Sequence, residues 1–164
     1  MRCTRGIRLA ALAAALLAGS ARAQDGTPQL RYLFNRQTSA IAKAKLMPRL
    51  GAAEFRDARA EIAAGRLPEA AAILVQYRAE AQLCAKGLEA AGTDAEKHPA
   101  GFKQLQISLR ESLRRINEML AGLPADDQTP FLAVRKDLDE LNRRLIHKLF
   151  PHQPAGDSPQ QPEA

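Results

Sequence analysis

The side chains able to do chemistry in this chain are few and scattered. Its histidines, His98, His147 and His152, and its cysteines, Cys3 and Cys84, fall at no metal-ligand spacing. A zinc site wants two ligands one helical turn apart and a third from a neighbour, yet no His-x-x-x-His, Glu-x-x-His or paired cysteine occurs. Asp94, Glu96 and His98 lie close enough to gather a cation loosely. The run Thr93-Asp94-Ala95-Glu96 nevertheless has the form of a capping box, whose threonine hydroxyl and glutamate satisfy free amides at a helix start. No glycine-rich phosphate loop and no Gly-x-Ser-x-Gly elbow is found, and the acids fall mostly on polar helix sides, with no carboxylate pair expected at inward positions. The expectation is a non-enzyme with no catalytic, cofactor-binding or metal-binding residues and no cofactor.

Basic residues are the next candidates. Lys103, Arg110, Arg114 and Arg115 share one polar face, and Arg135, Lys136, Arg143, Arg144 and Lys148 share another. Either face could meet an anion or a membrane surface. The interleaved acids point to a solvated, salt-bridged surface instead: Glu111 with Arg115, Asp139 with Arg143 and Glu140 with Arg144 are each spaced i,i+4 with the acid first.

Charge has to be read after allowing for the N-terminus. Arg2, Arg5 and Arg8 precede an apolar run, Leu9 to Ala18, and Ala21-Arg22-Ala23 supplies a small-x-small pattern before Gln24, so residues 1–23 read as a cleaved export signal. The apolar run is about half the length of a membrane span. Leu17-Ala18-Gly19 approaches a lipoprotein cleavage site, but Ser20 stands where the lipidated cysteine would be. Removal of this segment takes four arginines and no acid, lowering the net charge from +6 to +2. That argues against nucleic-acid binding and against a stable membrane anchor. Cys3 leaves as well, so no internal disulfide is available and burial must hold the fold. Cys84, on an apolar stripe, reads as a small buried hydrophobe or as the partner in an intermolecular disulfide in an oxidising periplasmic or secreted setting.

The elements that position these groups are helical. Leu67, Ala70, Leu74, Tyr77, Ala81, Cys84, Leu88 and Ala91 recur at spacings of three and four, and Phe102, Leu105, Leu109, Ser112, Ile116, Met119 and Leu123 repeat the rhythm, with Leu113 and Leu120 widening it. A connection of about ten residues between them predicts an antiparallel helical hairpin in which each stripe covers the other. Upstream, the pattern predicts a helix from Thr27-Pro28 to about Leu46 that buries Leu30, Leu33, Phe34, Ile41 and Ala44. The Met47-Pro48 step then breaks it, since proline disfavours a helical predecessor. A shorter helix from about Arg49 to Ala64 follows, burying Leu50, Phe55, Ala58 and Ile62. The central helices run from Pro68 to Ala91 and from Ala100 to Ala121. A last helix after Pro130 presents Phe131, Val134, Leu138, Leu141, Leu145 and Leu149, and Pro151 ends it. Residues 151–164 hold no large apolar residue and are expected to be disordered. The sum is an all-α, antiparallel bundle of about five helices built on a long central hairpin, in one domain spanning residues 24–150.

Ala58 to Tyr77, containing Ala-Glu-Ile-Ala-Ala-Gly-Arg-Leu-Pro-Glu-Ala-Ala, resembles the helix-turn-helix junction of a tetratricopeptide unit over about twenty residues. No second copy follows. The chain after residue 23 is similar in style to exported bacterial helical domains of unknown function, which implies compartment. The functional expectation is an exported helical bundle acting through an unidentified protein partner or through self-association. The alternative is an envelope sensor or chaperone-like binder of apolar ligands or unfolded chains, which would show an exposed patch around Leu30, Phe34 and Phe55. Under the first of these readings the first helix, joined through the Met47-Pro48 break, is the element expected to detach or swap between subunits.

Overall fold

The structure, a computed structural model, describes residues 26–92 and 94–152. The expected signal segment, Thr93 and the tail beyond residue 152 lie outside them. Among the described residues five α-helices and no strand occur: α1 (Thr27–Arg36), α2 (Ala40–Ala63), α3 (Leu67–Ala90), α4 (Ala100–Ala121) and α5 (Thr129–Leu149). A 3-10 turn, Ala125–Asp127, precedes α5.

Proline and glycine set several boundaries. Pro28, Pro68 and Pro130 stand in first turns, where a missing N–H leaves no helical bond unmade. Gly65 ends α2 at φ 75°, its N–H on the Ile62 carbonyl and that of Arg66 on the Glu61 carbonyl. This paired closure needs the left-handed conformation that glycine adopts freely.

Two expectations about the first helices are corrected. The chain does not break at Met47-Pro48; Pro48 lies inside α2. It breaks at Gln37–Ser39, where Gln37 and Ser39 are extended and the Ser39 hydroxyl accepts from the Ala42 N–H. An interior proline costs roughly 3 kcal/mol. Burial of Met47, Leu50, Ala53 and Phe55 along the same helix outweighs it. Because the break comes early, α1 folds back antiparallel along α2, and Leu33 and Ile41 are left exposed rather than buried.

The other four helices form a bundle of rhombic section. α2 packs on α3 and α4, and α5 packs on α4 and α3. Successive helices are antiparallel, whereas the α2–α4 and α3–α5 neighbours run parallel: Arg59 late in α2 meets Glu118 late in α4, and Glu89 late in α3 meets Lys148 late in α5. The central hairpin is present, with α3 and α4 facing each other across the short diagonal. Most of their cover comes from α2 and α5 rather than from each other. The predicted stripes are buried from Ala70 to Leu88, from Phe102 to Met119 and from Phe131 to Leu149, while Ala91 is exposed and Leu67 and Leu123 are half-buried.

Candidate functional site

The centre of the bundle is polar at one level. Tyr77 is fully buried, its ring lying against Gly51 of α2, where a methyl group would sit 3.0 Å from it. Ser112 donates its only proton to the Ser108 carbonyl at 2.9 Å, so the Tyr77 hydroxyl is the donor in its 2.6 Å contact with the Ser112 Oγ. Phe55 packs edge-on against the Tyr77 ring, centroids 5.3 Å apart. Burial raises the Tyr77 phenol above its ordinary pKa. The Tyr77 hydroxyl thus ties α3 to α4 through the two serines.

Beside it stands the arrangement that the sequence reading missed. Glu54 of α2 and Glu80 of α3 point inward, at 0% and 4% exposure. Arg31 of α1 lies over both. Its Nε donates to Glu80 Oε1 at 2.9 Å and its Nη2 makes a short contact with Glu54 Oε1. Gln76 also donates to Glu80 Oε1, at 2.9 Å. The second oxygen of each carboxylate, Oε2, is buried with no hydrogen-bond partner among the described residues. Burial, with the Glu80 charge adding to it, raises Glu54 to a pKa of about 8 despite the opposing pull of Arg31. One guanidinium, itself partly exposed, thus caps a carboxylate pair that has no other cation in contact among the described residues.

Three more groups attach α1. Leu30 and Phe34 are buried, and the Thr27 hydroxyl donates to Asp57 Oδ2 at 2.5 Å. The Lys43 ammonium sits over the Phe34 ring at 5.0 Å. Because Thr27 and Arg31 are four apart and Glu54 and Asp57 three apart, the two polar ties sit one helical turn from each other on both elements.

A signal for Glu54 was legible. Met47, Gly51, Glu54 and Ala58 fall at spacings of four, three and four, so Glu54 occupies a stripe position. Glu80 was harder to find, since it flanks the Tyr77–Ala81–Cys84 stripe rather than lying on it. The expectation of no inward carboxylate pair is therefore corrected.

The residues singled out from the sequence go elsewhere. Cys84 is buried, its Sγ 3.7 Å from the Ala40 carbonyl, and burial pushes the thiol up to about 12. Asp94 serves as the cap at the hairpin tip, accepting from the Glu96 and Lys97 amides, and these bonds lower its pKa. His98, His147 and His152 are exposed, and among the described residues no group of three or more His, Cys, Asp or Glu is placed to hold a metal. Glu111 pairs with Arg114 and Arg115, and Asp139 with Arg143, whereas Glu140 and Arg144 are not among the ion pairs of the described residues. Leu30, Phe34 and Phe55 are buried, whereas Tyr32, Leu33 and Ile41 nearby are exposed. A cavity of about 310 Å³ near the α1–α2 break is lined in part by Ile41, Leu88, His98 and Phe102. No described helix is long and apolar enough to cross a membrane. No protein-family model, curated protein or solved structure matches the chain.

Proposed function

We propose that this chain is an exported, non-enzymatic helical bundle that acts through protein–protein contact, with α1 as the contact element. The observation that carries this reading is the way α1 is held. A helix of ten residues is too short to persist alone. Its attachment rests on two apolar side chains, one of them under the Lys43 ammonium, one hydroxyl and one guanidinium over two carboxylates. Such an element lies at the low end of a protein's local stability, the end from which moving and binding segments are drawn. Its outer face adds Tyr32 and Leu33, both exposed.

The test is site-specific photo-crosslinking in the native envelope. A photoreactive residue at Tyr32 is expected to give a discrete adduct with a second polypeptide, and one at Leu132, exposed on α5, is expected to give none. Equal or absent adducts at both sites would contradict the reading, as would saturable turnover of a small molecule by the purified protein.

A further inference from the structure

Resting on that reading, we propose that the Glu54–Glu80 pair is a guanidinium socket which takes Arg31 either from its own chain or from a second copy, the α1 helices exchanging when the Gln37–Ser39 hinge straightens.

The hinge permits two conformations. From Gln29 to Met47 the chain contains no glycine or proline. Leu30, Phe34, Ile41 and Ala44 keep helical spacing across residues 37–39, which is why the sequence alone predicts one uninterrupted helix there. What bends the chain is a Ser39 cap with a hydroxyl contact of 3.4 Å and an extended Gln37. Straightened, α1 continues the axis of α2 and carries Leu30, Arg31 and Phe34 away from the bundle, with Leu30 and Phe34 on the same face as the already exposed Ile41.

The groove left behind selects its replacement. Removal of α1 uncovers a slot between α2 and α3 holding two inward carboxylates with no cation in contact. Without α1 each carboxyl loses the hydrogen bond that Arg31 donates to it and Glu80 loses its cation, so refilling the slot with an equivalent guanidinium is favourable. The occupant must supply a guanidinium able to fork between Glu54 and Glu80, apolar side chains one residue before and three after it, and a hydroxyl four residues before it to meet Asp57. Arg31 with Leu30, Phe34 and Thr27 already does this in cis. A second copy presents the same helix, and exchange of an identical element is a low-cost route to a dimer. In that dimer each copy completes the other's site.

Complementation between two full-length variants, purified after export, tests the exchange. Arg31→Ala keeps the socket and loses the guanidinium; the double variant Glu54→Gln, Glu80→Gln keeps the guanidinium and loses the charged socket. With helicity of each checked by circular dichroism, an equimolar mixture read by native mass spectrometry should give heterodimers well above the statistical one half, about four in five. Ser39→Ala, which removes the cap without touching socket or guanidinium, should raise the dimer fraction of the otherwise unaltered chain by about fivefold. Heterodimers at or below one half, or strict monomers for both the unaltered chain and Ser39→Ala, would overturn the exchange. Strict monomers together with a crosslinked adduct at Tyr32 would overturn the exchange while leaving the contact role of α1 standing, so the two failures are separable.

Discussion

Glu54 carries a stability signature of its own. Its ordinary pKa of 4.5 rises to about 8 in the fold, chiefly by burial. Between those values the unfolded chain releases the proton and the folded chain keeps it. The contribution is therefore complete below about pH 4.5 and is lost as pH rises through about 8. Glu111, lowered to about 2 by Arg114 and Arg115, changes its contribution only below its ordinary pKa and leaves this window clear. The melting temperature is expected to fall by roughly 3 °C or more between pH 5 and pH 8.5. Glu54→Gln, which keeps the shape and removes the titration, should flatten that slope; parallel curves would refute the assignment. This residue also marks where sequence reading failed. A glutamate on a stripe is scored as polar and discounted, because nothing local reveals that Arg31, twenty-three positions earlier, will fold back onto it. Tyr77 and Ser112 were placed inward correctly, since each sits at stripe spacing among large apolar neighbours.

At the scale of elements, α3, α4 and α5 were legible to within a residue or two, because their start and stop signals agree with their periodicity. The first two helices were not. Pro48 is a strong local breaker, and its cost is overruled by packing on α3 and α4 that the sequence does not display. The true break at Gln37–Ser39 has only a modest cap to announce it. Replacing Pro48 by Ala restores a helical N–H and relieves the clash with the preceding turn, partly offset by a freer unfolded chain. A gain of about 1–2 kcal/mol is expected in urea unfolding. A loss would mean that Pro48 sets a bend the bundle needs. The pairing of helices was legible only in part, since periodicity predicts a buried face without naming what covers it.

For the whole molecule, burial replaces covalent cross-linking. Cys84 is enclosed and its thiol is held at about 12, so the folded protein should resist maleimide and migrate as the same species with or without reductant, and Cys84→Ser should behave alike. Rapid labelling of the native chain, or a reductant-sensitive dimer, would show that the α2–α3 contact opens. In the proposed role the bundle of α2 to α5 is the platform and α1 the strap that opens from it. Hydrogen exchange read by mass spectrometry on the purified protein tests that division most directly. Amides of residues 27–36 are predicted to exchange at least about a hundredfold faster than those of residues 70–88 in α3. Equal protection of the two segments would contradict it, for α1 would then open only when the whole bundle does.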